Sequence, residues 1–434
     1  MLEAPVMTEA RVTTRPPWTW IPSLYLAEGL PYVVVMTVSV IMYKGFGISN
    51  TDIALYTSWL YLPWVIKPFW SPVVDLLGTR RRWIWVMQLL IGGGLGGVAL
   101  AIPMPHMFQW TLAIFWLMAF NSATHDIAAD GFYMLATTPS EQAFFVGVRN
   151  MFYRGATIFG QGLIVTFAGL VEKQSGSKTH AWTLAMAVLA VLFLLFGLWH
   201  AWALPRPDVD RPGNVRRFPE FVKEFVATFG SFFRKPGIVT IVAFLLLYRL
   251  GEAQLVKMVA PFLLDARGQG GLALSTASVG IVYGTFGILA LTLGGIAGGI
   301  VASRDGLKKW LWPMLFAIHV PDAVFIYLAY TQPTNVWIIQ MCVALEQFGY
   351  GFGFTAFLLY MIHIARGEHQ TAHYAICTGF MAMGMMFPGM WSGWLQDHIG
   401  YRHFFVWVIL ATVPSFLVAM RIPLEDEFGK KAAA

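Results

Sequence analysis

Two aspartates stand four residues apart in an otherwise apolar run, NSATHDIAADGFYM, from Asn121 to Met134. On a helix that spacing puts Asp126 and Asp130 on one face, one turn apart, with Ser122 and Tyr133 on or near it. An ionised carboxylate in hydrocarbon costs at least ~2.5 kcal/mol, so a pair of them needs a cavity or a partner. Such a pair suits one of two tasks. It holds neighbouring helices together, or it binds a substrate's amines and hydroxyls and carries protons.

Other charged residues in apolar surroundings offer matching chemistry. Glu28 lies in LAEGLPY, beside Gly29, Pro31 and Tyr32. A Gly–Pro pair interrupts backbone hydrogen bonding, which membrane helices tolerate where they line a cavity. Arg249, Glu252 and Lys257 lie in YRLGEAQLVK. Arg249 can grip a carboxylate bidentately, or it can pair with Glu252 three residues on. Arg149 and Arg154 are five apart and so point in different directions. Arg154 is a candidate counter-charge for the aspartates and Arg149 a candidate gate residue. Glu346 opens EQFGYGFGFTAF, where it is a candidate proton carrier and the glycines favour close helix contact. Asp75 with Arg80, Arg81 and Arg82 forms a candidate gate network. Lys67 is expected to snorkel or pair locally. His125, His319 and His363 suit buried hydrogen bonding better than proton relay. No His/Cys/Asp cluster has metal-ligand spacing, and no phosphate loop, nucleophile elbow or dinucleotide fingerprint is present, so neither a cofactor nor an enzymatic role is expected.

These residues need helices to carry them, and the composition says which kind. The 434 residues are 57% hydrophobic and only 12% charged, and the mean hydropathy is +0.62. Soluble domains carry about 25% charged residues, so this is an all-α polytopic membrane protein. The net charge of +6 reads as topology bias. No basic run is interleaved with aromatics, so no nucleic-acid partner is expected. Cys342 and Cys377 suggest no disulfide framework, and the first 17 residues lack the pattern of a cleaved signal peptide. At about 20 apolar residues per crossing, the chain holds twelve spans: 18–42, 52–76, 83–103, 107–136, 142–170, 181–203, 237–264, 274–302, 308–330, 335–365, 370–397 and 401–421. The tail 1–17 precedes a six-helix bundle, 18–203. The linker 204–236, with a possible amphipathic helix at FPEFVKEFVATFGSFF, leads to a second bundle, 237–421, and a tail, 422–434. With the N-terminus inside, cytoplasmic segments hold nineteen of the 29 Lys and Arg, and outer loops five. That places both termini in the cytoplasm.

The halves echo each other. DLLGTRRR follows span 2 and SRDGLKK follows span 8, each with an acid, a glycine and a basic cluster. A 6+6 chain with this repeat resembles the major facilitator superfamily. That resemblance implies that spans 1, 4, 7 and 10 line a central cavity and that 3, 6, 9 and 12 lie outside. The intramembrane charges agree: Glu28 is on span 1, the aspartates on 4, Arg249, Glu252 and Lys257 on 7, and Glu346 on 10. Asp322, on span 9, is the outlier.

LYLAEGLPY, WSPVVD, SATHDIAADGF, LLYRLGEA and ALEQFGYGFGFTAFLLYM together resemble the AmpG-type muropeptide permeases, whose wider group includes acetyl-coenzyme A transporters. The likeness implies proton-coupled import of anhydro-sugar peptides across a bacterial inner membrane for cell-wall recycling. The family's two helix-4 aspartates fall on Asp126 and Asp130. His125 stands where glutamine is common, and some members carry two further C-terminal helices. A siderophore, an acyl-coenzyme A or another polar solute is the alternative cargo; a non-transporting membrane sensor is the alternative of another class. On the import reading, Asp126, Asp130, Arg249, Lys257, Glu28, Tyr32 and Arg154 bind substrate. Asp126, Asp130, Glu252 and Glu346 handle protons, and Asp75, Arg80, Arg81 and Arg149 form a gate. The partners are the small-molecule or glycopeptide substrate, protons and the lipid bilayer, and the protein acts as a monomer.

Overall fold

The computed structural model describes residues 15–212, 218–367, 370–425 and 428–429, and among them every regular element is helical. In chain order the long helices are α1 (Pro17–Gly45), α2 (Asn50–Trp59 and Leu62–Leu77), α3 (Arg80–Ala101), α4 (Met107–Ala136), α5 (Ser140–Ser175), α6 (Lys178–Ala203), α7 (Ile238–Leu264), α8 (Thr276–Asp305), α9 (Leu307–Thr331) and α10 (Val336–Ala365). Gln370–Leu410 is broken by non-helical backbone at Gly400 (φ 73°, ψ 163°), giving α11 (370–399) and α12 (401–410, continued by Val413–Ala419). Nine stretches among the described residues are long and apolar enough to cross a membrane. One of them, Ala372–Ala419, has 48 residues, enough for two crossings at 1.5 Å per residue. Helices α2 and α4 lie where two further spans are expected. A break at Leu60–Tyr61 interrupts α2, and polar residues, Gln109, Asn121, His125 and the two aspartates among them, dilute α4.

Local chemistry sets the breaks and starts. Pro31 lies inside α1 and is followed by a π-helical stretch, Val34–Val38, as expected when a proline removes a helix hydrogen bond. Thr138 and Glu141 form a reciprocal capping box at the start of α5. Ser49 and Ser177 cap α2 and α6. Helix α7 is interrupted at Arg249, whose backbone (φ −111°, ψ 22°) leaves the helical region. Helix α9 is interrupted by a tight turn, Val320–Asp322, that contains Pro321.

Small residues let the helices approach. In the run after Glu346, a Cβ on Gly349 or Gly353 would run into α9 carbonyl oxygens, of Ala317 and Met314, and one on Gly351 into that of Leu291 on α8. Close packing is thus what these glycines provide. Helices α5 and α8 cross in the same way, with Gly284 against the backbone of Gln161 and Gly162.

One end of the molecule is tied shut by polar contacts between the first six helices and the last six. Lys44 pairs with Asp265 at 2.6 Å. Asn50 donates to Gln396 and, at 3.0 Å, to Tyr401. Tyr401 donates to Asp265 at 2.6 Å, and Thr51 to Asp397 at 2.6 Å. At the other end, the segment after α6 returns to α3, where Asp210 accepts the backbone N–H groups of Arg80 (2.8 Å) and Arg81 (3.0 Å). The expected linker helix forms over Phe218–Phe233. Its Phe232 is buried and stacks on Phe380 of α11, so this end of the helix docks on protein.

Candidate functional site

Both α4 aspartates are held by basic residues. Asp126 accepts from the Trp64 indole at 3.0 Å and pairs with Lys67 at 3.6 Å, both on α2. Asp130 accepts from Arg149 at 2.6 Å and from the Tyr25 hydroxyl at 3.3 Å. The Arg149 guanidinium lies over the rings of Tyr25 and Tyr133, 4.4 and 5.0 Å from their centroids. Asp130 keeps 43% of its side chain exposed and Asp126 15%, so Asp130 is the more open of the two. Glu28, one turn beyond Tyr25 on α1, is buried with its Oε2 unbonded among the described residues. It interacts electrostatically with both aspartates and with Arg149. Three carboxyl groups therefore face two basic groups on α1, α2, α4 and α5.

An aromatic path runs from this group towards α7. Trp64, which holds Asp126, meets the Tyr32 ring edge-on at 5.1 Å, and Tyr32 meets Tyr61 at 6.4 Å. The Lys257 ammonium lies 5.4 Å from the Tyr61 centroid and donates to Thr57 at 2.9 Å. Arg249 donates to the Tyr350 hydroxyl at 2.5 Å and lies 4.8 Å from the Phe354 ring centroid, with its Nε unbonded among the described residues. Neither base forms an ion pair among the described residues. Two cations fixed by hydroxyls and aromatic faces can accept a carboxylate, and the rings between them can stack on sugar faces.

Two candidate pairings do not form among the described residues. Arg154 forms no ion pair with either aspartate among the described residues; Arg149 takes that place. At 1.5 Å per residue, Arg154 lies about 7.5 Å further along α5. Arg249 and Glu252 do not pair either. Arg249 sits at the break in α7, so the i,i+3 relation of a continuous helix does not hold between them.

Glu252 instead meets Glu346 of α10 and Asp322 of α9, with oxygen atoms from all three within 4.8 Å of one another. At an effective dielectric constant of about 20, each ionised pair at that distance repels by about 3.5 kcal/mol. The buried trio cannot remain triply charged without a cation. Of the expected gate residues, Arg80 donates to the Gly131 carbonyl at 3.1 Å and Arg81 to the Leu204 carbonyl at 3.1 Å. The side chain of Asp75 lies outside the described residues.

The family model for the Major Facilitator Superfamily matches residues 23–387. The chain belongs to the major facilitator superfamily. Among curated superfamily relatives, an Escherichia coli protein named anhydromuropeptide permease is 23% identical over 407 residues, 92% of this chain and 78% of that protein. A Rickettsia conorii protein bearing the name AmpG 4 is 24% identical over 411 residues, 92% of this chain and 94% of that one. The resemblance read from the helix motifs is thereby borne out. Among solved structures, a D-xylose–proton symporter superposes with a TM-score of 0.71 at 13% identity, over 95% of this chain and 98% of that one. The nucleoside transporter NupG gives 0.65 at 14% identity, over 92% and 97%. These likenesses show the major facilitator fold.

Two residues of these clusters, Lys67 and Asp322, escaped the sequence reading. Lys67 reads locally as a snorkelling residue ahead of Pro68, yet it is the partner of Asp126. Asp322 reads as an outlier on an outer helix, yet it is buried beside Glu252 and Glu346. The available signal was the same in both cases: a charge in an apolar span must find an opposite charge, a proton or an ion. His125 joins a buried chain through Gln88 to His200 and Ser23, with contacts of 2.8–2.9 Å. Its role there is to link α4, α3, α6 and α1.

Proposed function

We propose that this superfamily member is a proton-coupled importer of muropeptides in a bacterial inner membrane, acting as a monomer by alternating access around a midplane site. On this reading the chain crosses the bilayer twelve times in two six-helix bundles, 18–203 and 237–421, joined by the linker 204–236. Both ends lie in the cytoplasm. The end closed by Lys44, Asn50, Asp265 and Tyr401 then faces the periplasm.

One observation carries the reading: each α4 carboxylate is held by a basic residue that a proton or a substrate amine can displace. When Asp130 takes a proton, its pair with Arg149 is neutralised and the guanidinium is released to another acceptor. When an amine reaches Asp126, Lys67 is displaced. Arg249 and Lys257 bind the peptide carboxylates, and Tyr32, Tyr61, Trp64 and Tyr350 pack against the sugar. Glu28 adds a further acceptor and Arg154 a further cation. Arg80, Arg81 and Arg149 control the cytoplasmic side.

A thermal-shift screen of the purified protein against anhydro-muropeptides tests the binding step, with Asp126→Asn and Asp130→Asn as controls. A ligand at 100 times its Kd stabilises the folded state by about 2.7 kcal/mol. The expected result is an upward shift in the wild type that both substitutions diminish. A shift that survives both removes α4 from the binding site.

A further inference from the structure

The group Glu252, Asp322 and Glu346 is separate from the α4 aspartates and brings together α7, α9 and α10. A cluster of acids alone identifies nothing, but this one has properties that point to a bound ion. Glu252 and Asp322 are 0% and 1% exposed, and neither of the two oxygens of either has a hydrogen-bond partner among the described residues. Four buried acceptor atoms are thus left without donors, where nearly all buried polar atoms in folded proteins are satisfied. These unpartnered oxygens converge, with an oxygen of Glu346 among them, to within 4.8 Å. Glu346 has one donor, the Gln347 side-chain amide, at 2.9 Å.

The backbone is interrupted in two of the three helices that supply the group, α7 and α9, and in α8, which packs against α10. Helix α7 breaks at Arg249, three residues before Glu252, and α9 breaks at Val320–Asp322. Helix α8 carries a π-helical stretch, Gly280–Gly287, that includes Tyr283. Membrane proteins place coupling-ion sites at such discontinuities.

We infer that Glu252, Asp322 and Glu346 form a second coupling-cation site, one that binds shared protons, apart from the α4 carboxylates that meet the substrate and its coupled proton. This rests on the proton-coupled reading above and adds to it a third member, Asp322, and a location. A proton entering the group converts one carboxylate to a carboxyl whose O–H donates to a neighbouring carboxylate oxygen. Leaving, it restores the carboxylate. Among the described residues, Arg249 of α7, Tyr283 of α8 and Tyr350 of α10 are each electrostatically linked to Glu252. His319, one turn before Asp322 on α9, is buried with neither ring nitrogen bonded among the described residues. Arg249 is the one cation in this set that keeps its charge at all relevant pH. It is held by Tyr350, so it offsets part of the trio's charge and leaves the rest to bound protons.

The test is infrared difference spectroscopy of the purified full-length protein without substrate, comparing acid with alkaline buffer and light with heavy water. The variants are Glu252→Gln, Asp322→Asn and Glu346→Gln. In the wild type, carboxyl C=O bands that shift in heavy water are expected. Each substitution is expected to remove or displace the same bands, because the protons are shared, whereas Asp126→Asn and Asp130→Asn leave them in place. Exchanging potassium for sodium at constant ionic strength gives a second arm. Loss of the wild-type bands in sodium also supports a coupling-cation site and identifies the alkali ion as a competitor. Bands unchanged in every variant that folds, as judged by its thermal transition, would overturn the inference. Any variant that fails to fold is replaced by its shared-band partners, since one folded member suffices to read the outcome. Failure of the transport reading is separable: uptake indifferent to a proton gradient leaves these spectra as they are.

Discussion

Lys257→Met separates stability from function. The Lys257 ammonium is buried, with three donors and one hydrogen-bond acceptor, Thr57, plus the face of Tyr61. Leaving a buried polar donor unmet costs about 1–3 kcal/mol. Its stem lies against Gly389, and methionine preserves that packing with nearly the same shape. Thr57 keeps its bond to the Ile53 carbonyl at 2.6 Å. The substitution should therefore raise the stability of the substrate-free protein by about 1–3 kcal/mol, read as a higher thermal transition in detergent. A hydrogen bond to a charged group contributes about 1.5–3 kcal/mol, so affinity for an anhydro-muropeptide should fall roughly 10- to 150-fold. Titration calorimetry or a concentration series in the thermal assay reads that change. A variant that unfolds at a lower temperature and binds with undiminished affinity would refute the reasoning, because Lys257 would then be a structural residue.

Three more outcomes follow from named contacts. Arg149→Gln and Asp130→Asn should each change stability by less than about 1 kcal/mol, since the pair is partly exposed, while abolishing gradient-driven uptake; large losses of folded protein would mark the pair as structural. Gly351→Val should cost about 3 kcal/mol or more by driving a side chain into the Leu291 carbonyl, and normal folded yield would contradict the packing account. Asp265→Asn weakens the contacts to Lys44 and Tyr401. In a background lacking Cys342 and Cys377, it should speed labelling of Ser58→Cys by an impermeant maleimide added outside by about tenfold, equivalent to 1.4 kcal/mol; an unchanged rate would show that these contacts do not hold that end closed.

Much of the fold was legible because its signals are local. Apolar run length, the Pro31 interruption and the glycines after Glu346 each state their consequence within a few residues. The pairing of Asp126 with Lys67 was not, because it depends on how α2 and α4 rotate against each other, and one residue of slip turns a helix face by about 100°. The backbone break at Arg249 hid the separation of Arg249 from Glu252, since the sequence YRLGE reads as continuous helix. Asp322 was hidden by the short turn around Pro321, which places a residue of a nominally outer helix against α7 and α10. The face of α4 was legible from spacing; the identity of the bases that meet it was not.

Uptake of an anhydro-muropeptide into proteoliposomes, with and without an inward proton gradient, tests the central claim most directly. The wild type should accumulate substrate above the external concentration only when the gradient is present. Asp126→Asn and Asp130→Asn, verified as folded, should not. Accumulation that ignores the gradient, or that persists in both variants, would contradict proton coupling through α4.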